Sequence, residues 1–277
     1  PVPRRDEGAL QLGRIRYLAD LYDRQSTASP LTHWGKTMKK HRIGIIGCGW
    51  IARFYAHILP RLQDRTEVVW VADLEAARAG EIARQTGAKT LVDYRHGLAE
   101  VDAAFILLPH HLHRAAAVDC LEAGCHVLLE KPIARTIEET DAIIAAAEKN
   151  RRTLMVAYPH RYRNSMRIFK EAVHGGAYGQ LFMLDAMMDE SIQGYALGWM
   201  KKRETLGGGV FFSASPHMLD VMLWIAGDAA SLSMAGTNAG TNMEGEDTAA
   251  SVIKFKNGAI GVTRHMWASP RTRIWYT

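Results

Sequence analysis

A glycine-rich turn follows the first apolar strand of the sequence, and residues of this type and spacing bind the phosphates of a dinucleotide. Gly47, Gly49 and Ala52 fit the pattern G-x-G-x-x-A. The first glycine permits the tight turn, the second lets backbone N–H groups approach a pyrophosphate, and the small third residue lets helix and strand pack closely. The helix that starts at Trp50 and Ile51 would point its N-terminal dipole at the anion. We therefore predict that Gly47, Gly49, Trp50 and Ile51 belong to a cofactor site.

A carboxylate at the end of the second apolar strand supports this interpretation. Asp73 closes the run Val68 to Ala72 and lies 26 residues after Gly47. This is near the expected distance for a side chain that binds the ribose hydroxyls, and its charge opposes a 2′-phosphate. The sequence thus favours NAD, with NADP as the alternative because Arg78 follows on the next helix. The competing interpretation is an ordinary βαβ unit with a solvated Asp73.

A second group of residues that could take part in catalysis lies at the end of a later strand, where Glu130, Lys131 and Pro132 follow the apolar run from His126. Ligands of open α/β sheets bind at the carboxyl ends of the strands. A lysine at that edge can donate to a substrate oxygen and stabilise charge on an alkoxide or carbonyl. The alternative is a Glu–Lys pair on the surface.

Three histidines, at 110, 111 and 113, raise the question of a metal site. Neither a cysteine nor a carboxylate accompanies them at ligand spacing. We therefore predict no metal.

The elements that must position these residues alternate between strand and helix up to Pro159. Apolar strands are predicted at 42–47, 67–73, 102–109, 126–131 and 153–158, and helices at 50–62, 75–86, 112–123 and 137–149. This order predicts an α/β fold with an N-terminal, doubly wound parallel sheet of the Rossmann type. Thr136 and Glu139 form a capping box for the last of these helices.

The pattern changes after Pro159 and predicts a C-terminal α+β domain on an open, mostly antiparallel sheet. The predicted elements are a helix at 164–174, a strand at 180–189, a helix at 210–226, and strands at 249–256 and 259–267 around the hairpin signal Asn257-Gly258. We expect residues 38–159 to form the dinucleotide-binding domain and 160–277 the substrate and oligomerisation domain. We also expect 1–37 to be a loose or non-native extension before a start at Met38, and the second sheet to lack a part that follows Thr277.

The composition excludes several classes of protein. The chain has 277 residues, of which 48% are hydrophobic and 23% charged, with a net charge of +5 and no long basic block. We therefore predict no nucleic-acid partner. No apolar run reaches the roughly 18–20 residues of a membrane span, and no secretory leader is visible. Three cysteines without disulfide-type spacing favour a reducing, cytoplasmic setting.

Several motifs occur together in the order of one family. They are Gly47 to Ala52, Pro109 to His113, Ala123 to Val127, Glu130 to Ala134, and Gly207 to Gly209 followed by His217 and Asp220. The chain resembles the glucose–fructose oxidoreductase/inositol dehydrogenase family (Gfo/Idh/MocA) over about residues 40–277. The resemblance implies a Rossmann domain, a second α/β domain and bound NAD or NADP. It also implies hydride transfer at a secondary alcohol of a sugar, polyol or cyclitol. We expect a homo-oligomer, a dimer or tetramer.

The resemblance also implies roles for particular residues. Lys131 would be the catalytic lysine and His217 the general base, since an imidazole with a pKa near neutrality can accept a hydroxyl proton. Arg161 would lie near the mouth of the active site. The cofactor channel would be lined by Pro109, His110, His113 and Glu130.

The chain departs from the family pattern at the position where an aspartate usually precedes the histidine. Ser213 stands there, and it can hydrogen-bond a substrate but cannot act as a carboxylate. Two alternatives therefore stay open. One is a relative that uses bound NAD transiently for elimination or glycoside cleavage, and the other is a regulator that binds NAD(P) without turnover. Without the resemblance, His217 is better explained as a helix histidine satisfied by its neighbours.

Overall fold

The computed structural model describes residues 39–176, 178–192 and 198–277. The predictions made for residues 1–37 and for Met38 lie outside these ranges.

The first part of the chain forms a six-stranded sheet in which every pair of neighbours is parallel. The spatial order is β3-β2-β1-β4-β5-β6. Its strands are β1 (His41–Ile46), β2 (Thr66–Ala72), β3 (Lys89–Leu91), β4 (Ala103–Ile106), β5 (His126–Glu130) and β6 (Leu154–Ala157). The order reverses between β1 and β4, and a crevice at such a switch point is where α/β proteins bind dinucleotides. The predicted doubly wound fold is confirmed.

Four α-helices connect these strands. They are α1 (Trp50–Ile58), α2 (Ala76–Thr86), α3 (His113–Glu122) and α4 (Ile137–Asn150). The helix predicted at 50–62 is α1 followed by a 3₁₀ turn, Leu59–Leu62, because Pro60 has no N–H for an α-helical bond. At α4 the Thr136 hydroxyl accepts a bond from Glu139 N at 3.2 Å, while the Glu139 carboxylate accepts from Arg135 N at 3.0 Å. The capping is therefore of the predicted kind, with the return bond moved by one residue.

The second part of the chain forms a five-stranded sheet with helices on one face. Its elements are α5 (Asn164–His174), β7 (Met183–Ser191), α6 (Gly198–Lys201), α7 (Arg203–Leu206), α8 (Val210–Ser213), α9 (Ser215–Ala226), β8 (Ala229–Thr237), β9 (Thr248–Phe255), β10 (Ile260–Met266) and β11 (Ala268–Tyr276). The order is β11-β7-β10-β9-β8, in which only β7 and β10 pair parallel. The mostly antiparallel sheet is confirmed, and Asn257-Gly258 joins β9 to β10 as predicted.

Three strands, the short helices α6 and α7, and one helix break were not predicted. The sequence-based prediction lacks β3, β8 and β11. β3 is too short to show a pattern, and β8 is exposed along its whole length, so it shows no buried alternation. The helix predicted at 210–226 divides at Ala214, because Pro216 in the first turn of α9 cannot donate a backbone bond to the preceding turn.

The helix α9 forms the centre of the second core. Its buried residues pack against alternate side chains of β7; the cluster includes Leu184, Ala186, Met188, Met218, Val221, Met222 and Ile225. This packing fixes the start of α9, which carries His217, above the carboxyl end of β7.

Within the described ranges, no single helix is both long enough and apolar enough to cross a membrane. Two segments joined by a bend of 42°, Arg203–Ser213 and Ser215–Ala226, meet that length and composition criterion only when taken together.

Candidate active site

The glycine turn leaves an open side at the start of α1. Gly47 has φ of +93°, and a Cβ there would lie 2.6 Å from the Leu107 carbonyl oxygen. A Cβ on Gly49, in contrast, would meet no atom within 4 Å. Gly49 is also the N-cap of α1 and supplies no side-chain cap. The turn is therefore packed on one side and open at the helix N-terminus, which fits a phosphate group.

Asp73 is fixed beside this turn by two backbone donors. Its Oδ2 accepts from Cys48 N at 2.8 Å and its Oδ1 from Glu75 N at 2.8 Å. Each oxygen keeps a further lone pair, so the carboxylate can still bind ribose hydroxyls. Trp50 is exposed and Ile51 half-buried at the start of α1. The structure thus brings the predicted cofactor residues of β1, α1 and β2 together.

The histidines that follow β4 are held by backbone carbonyls. His110 Nδ1 donates to Leu206 O at 2.8 Å, and its ring packs edge-on against Trp199. The ring nitrogens of His113 lie 2.8 Å from the oxygens of Pro132 and Leu108. Burial lowers the pKa of His110 to about 3 and also lowers that of His113. The two rings form a wall in which His110 is neutral, and Pro109 lies half-buried beside them.

Among the residues that the structure describes, no group of three or more His, Cys, Asp or Glu side chains could hold a metal ion.

Lys131 lies at the carboxyl end of β5 and reaches the second part of the chain. Its Nζ donates to the main-chain oxygen of Ser213 at 2.8 Å, and the Lys131–Pro132 peptide is cis. Burial lowers the pKa of this lysine, while the carboxylates of Glu130 and Glu190 act to raise it. Glu130 Oε1 accepts from the Tyr55 hydroxyl at 3.1 Å. The Lys131 Nζ therefore lies between the two sheets, next to the segment that leads into α9.

His217 faces this lysine from the first turn of α9. Its ring stacks on His160 at 5.0 Å between centroids, and His160 Nδ1 shares a hydrogen bond with the Tyr276 hydroxyl. Burial, then the charge of Lys131, lowers the pKa of His217 to about 2. His217 Nδ1 is buried without a protein partner. The imidazole is therefore neutral, its pKa lies well below the near-neutral value expected from the sequence, and its Nδ1 has hydrogen-bonding capacity that no described residue uses.

Arg161 is bound to an aspartate of α9. Its Nε donates to Asp220 Oδ2 at 2.6 Å, and its terminal Nη2 donates to Oδ1 of the same carboxylate. The guanidinium is partly exposed and also packs over Trp224. The ion pair between Arg161 and Asp220 therefore joins the turn after β6 to α9.

The three glycines before α8 allow close packing of this segment on the 244–246 loop. A Cβ on Gly209 would lie 2.2 Å from Glu246 O, and Val210 N donates to that oxygen at 2.6 Å. Glu246 Oε1 also accepts from Phe211 N at 3.1 Å. This contact sets the position of α8 and hence of Ser213, whose main-chain oxygen holds Lys131.

Sequence reasoning missed four polar residues that surround this site. They are His160, Glu190, His265 and Tyr276. His265 is fully buried, and within the described ranges neither of its ring nitrogens has a hydrogen-bond partner. Its position on the inner face of β10 follows from the sheet register, which the sequence pattern does not reveal.

Family models match most of the chain. The model described as "Oxidoreductase family, NAD-binding Rossmann fold" matches residues 41–158, and the "GFO/IDH/MocA C-terminal domain" matches residues 166–277.

Curated relatives and solved structures show the same similarity. The chain is 28% identical to the 1,5-anhydro-D-fructose reductase of Ensifer adhaerens, covering 79% of this chain and 67% of that protein. It is 27% identical to the myo-inositol 2-dehydrogenase of Thermotoga maritima, over 80% and 67% of the two chains. The WlbA dehydrogenase from Chromobacterium violaceum, solved with NADH and UDP-GlcNAcA, superposes with a TM-score of 0.79 at 29% identity, covering 86% of this chain and 70% of that one.

Proposed function

Because the chain belongs to the GFO/IDH/MocA family of oxidoreductases with an NAD-binding Rossmann fold, we propose that it transfers a hydride between a nicotinamide cofactor and a secondary alcohol of a sugar, polyol or cyclitol. The bound nicotinamide supplies the hydride chemistry, and the protein supplies binding, orientation and proton transfer. The similarity to an anhydrofructose reductase, an inositol dehydrogenase and a dehydrogenase solved with a nucleotide sugar supports this class of substrate.

The first domain binds the dinucleotide through the open turn at Gly49 and the carboxylate of Asp73. The N-terminus of α1 faces the pyrophosphate, and Asp73 accepts hydrogen bonds from the ribose hydroxyls. Pro109, His113 and Glu130 line the path towards the carboxyl end of β5. Because Asp73 carries a negative charge, the site favours NAD over NADP.

The substrate oxygen lies between Lys131 and His217 in this proposal. In the oxidising direction the neutral imidazole of His217 accepts the hydroxyl proton, and the Lys131 ammonium stabilises the negative charge that develops on the oxygen. Ser213 and Arg161 contact the rest of the substrate in this proposal. In the reducing direction the same groups return the proton to the oxygen.

One observation carries the proposal. The Lys131 ammonium, from the Rossmann strand β5, hydrogen-bonds the main chain of Ser213 four residues before His217. A charged donor and a neutral imidazole with an unpaired buried nitrogen thus meet at the strand edge where α/β folds bind ligands.

The test is a substrate screen of the purified protein with NAD and NADP, in which absorbance at the NADH wavelength and product formation are both followed. We expect cofactor reduction with at least one sugar, polyol or cyclitol and none with the Lys131→Ala variant. Product without net NADH change would favour the transient-redox alternative, which Ser213 in place of an aspartate keeps open. Tight NADH binding without any product would favour the regulator.

We further propose that the protein is a homo-oligomer that associates through its second sheet. The face of this sheet opposite the helices carries exposed apolar side chains from four strands, namely Met183, Val252, Ile260 and Trp275. Contiguous apolar surface of this kind marks interaction sites. Light scattering on the purified protein tests the oligomeric state. The cytoplasmic setting remains a prediction.

A further inference from the structure

The active site has no carboxylate on α8 or α9 that faces Lys131. Ser213 occupies the position where the family pattern has an aspartate, and it meets Lys131 through its main-chain oxygen. Asp220, further along α9, is bound by Arg161. A negative group that balances the Lys131 ammonium must therefore come from another element.

Glu190 on β7 points into the same space from the second sheet. Leu184, Ala186 and Met188 alternate along β7 and pack in the core beneath α9. Glu190 is the next residue on this face, because successive side chains of a strand point to opposite sides. Its carboxylate therefore lies on the helix-covered face, beyond Met188 and towards the start of α9.

The parallel neighbour β10 shows that this end of the sheet lies beneath the catalytic segment. His265 pairs with Met188 in the register of the two strands. The His265 ring contacts the Phe211 ring at 6.1 Å between centroids, and Phe211 belongs to α8. The carboxyl ends of β7 and β10 are therefore covered by the segment that holds Ser213 and leads to His217.

One oxygen of Glu190 is fixed and the other is available. The Trp267 indole Nε1 donates to Glu190 Oε2 at 3.1 Å. In the described part of the chain no hydrogen-bond donor is assigned to Oε1. Burial raises the pKa of Glu190, whereas the Trp267 bond and the Lys131 charge lower it. No direct ion pair within 4 Å joins Glu190 to Lys131, so the two charges interact across the site.

We propose that Glu190 is the carboxylate that the second sheet supplies to the active site: a positioning residue that, beside Glu130, keeps Lys131 in its ammonium form and takes over the role that an aspartate at position 213 would have. The inference rests on the proposed function, because it concerns the same lysine. When His217 accepts the substrate proton, two positive groups adjoin each other, and the Glu190 charge offsets one of them.

Other titratable groups also face Lys131, and the test must separate them from Glu190. They are Glu130 on β5, His110 and His113 after β4, His160 after β6, and His217 on α9. Burial keeps the histidines neutral. Glu130, bound by Tyr55, is therefore the other carboxylate that acts on the lysine.

The experiment measures the titration of Lys131 directly, without turnover. The full chain is labelled with ¹³Cε-lysine, and the Lys131 resonance is assigned by its loss in Lys131→Arg. The chemical shift of this resonance is then followed by NMR as the pH is raised, which gives the midpoint of the Lys131 titration. In Glu190→Gln the midpoint should fall by about one pH unit or more, since an opposite charge close by typically shifts a pKa by that amount. The glutamine keeps an acceptor for Trp267, so the fold is retained.

Two further variants control for structural effects. Asp189→Asn removes a charge from the neighbouring residue, whose side chain pairs with Arg264 on the other face of β7, and should leave the Lys131 midpoint unchanged. Glu190→Asp keeps the charge and should retain most of the wild-type midpoint. An unchanged midpoint in Glu190→Gln, or equal shifts in Glu190→Gln and either control, would overturn the inference.

A kinetic experiment depends on the proposed function, whereas the NMR titration does not, so the two can fail independently. With an active substrate, Glu190→Gln should lower kcat more than it raises KM and should move the alkaline limb of the kcat/KM profile to lower pH. If the NMR midpoint moves and no alcohol is oxidised, the charge assignment stands and the proposed reaction is wrong. If the midpoint moves and this limb does not, Lys131 does not act in the reaction as its ammonium.

Discussion

Lys131 Nζ hydrogen-bonds the main-chain oxygen of Ser213 at 2.8 Å, and this contact joins the end of a Rossmann strand to the segment before the second-domain helix α9. Since Ser213 ends α8 and His217 lies in the first turn of α9, the bond sets the lysine and the imidazole on the same side of the cleft. The contact therefore positions a charged donor before any substrate binds.

Lys131→Ala should remove turnover while NADH binding stays measurable. The lysine is proposed to act on the reacting oxygen, whereas the dinucleotide is held by the turn at Gly49 and by Asp73. The loss of one such donor costs about 10²–10³ in rate. Steady-state kinetics and NADH titration measure the two effects, with the exposed Lys149→Ala as control. Near-normal rates in Lys131→Ala would show that the assignment is wrong.

Two glycine substitutions in the same turn should have opposite phenotypes. In Gly47→Ala the new methyl meets Leu107 O at 2.6 Å and the residue keeps φ of +93°. We expect a loss of about 1–3 kcal/mol in the free energy of unfolding. Gly49→Ala finds open space, so its melting temperature should be normal while its affinity for NADH falls. Thermal unfolding and NADH titration test the pair. Equal stability of both variants contradicts the prediction.

The protein should bind NADH at least about tenfold more tightly than NADPH, because a like charge beside a 2′-phosphate costs several kcal/mol. The Asp73 carboxylate is held by Cys48 N and Glu75 N, so it cannot easily turn away. Asp73→Asn keeps an acceptor and removes the charge, and it should reduce this preference. Titration of both cofactors against both proteins provides the measurement. Tighter binding of NADPH by the wild type would refute the assignment.

The stability of the protein should fall as the pH is lowered below about 6.5. The pKa values of His160 and His265 are lowered from 6.5 to about 4 by burial, and that of His217 to about 2. Between these values and 6.5 the unfolded chain binds more protons than the folded one. Stability is therefore fully present above pH 6.5 and decreases towards pH 4, with a slope of at most about 1.4 kcal/mol per pH unit for each histidine.

Urea unfolding at pH 7, 6 and 5 measures this slope. His265→Phe should make it shallower, because phenylalanine binds no proton in the unfolded chain. The replacement should be tolerated, since the His265 ring nitrogens have no hydrogen-bond partner among the described residues. The exposed His96→Gln serves as control and should match the wild type. A slope in His265→Phe equal to that of the wild type would show that His265 does not contribute.

Local spacing predicts the NAD-binding fold and the residues that we propose to bind the cofactor. Gly47, Gly49 and Asp73 are informative because a turn, a helix start and a strand end each depend on residues close in sequence. The position of Lys131 followed likewise from one strand that ends in polar residues. The exposed strand β8 and the short β3 have no such local signal, since their pairing depends on neighbours that are remote in sequence.

The sequence by itself determined that the first domain is a Rossmann fold and that Lys131 lies at its ligand-binding edge. Only the tertiary structure decided which groups surround that lysine. Ser213 meets it across 82 positions of sequence. The register of β7 and β10 turns Glu190 and His265 inward, so that His265 lies against Phe211 and acts on His217 while the Glu190 charge acts on Lys131. A shift of one residue in register would point every side chain of the strand to the other face. The register is set by the packing of α9 on the sheet, and this long-range effect has no signature in local spacing.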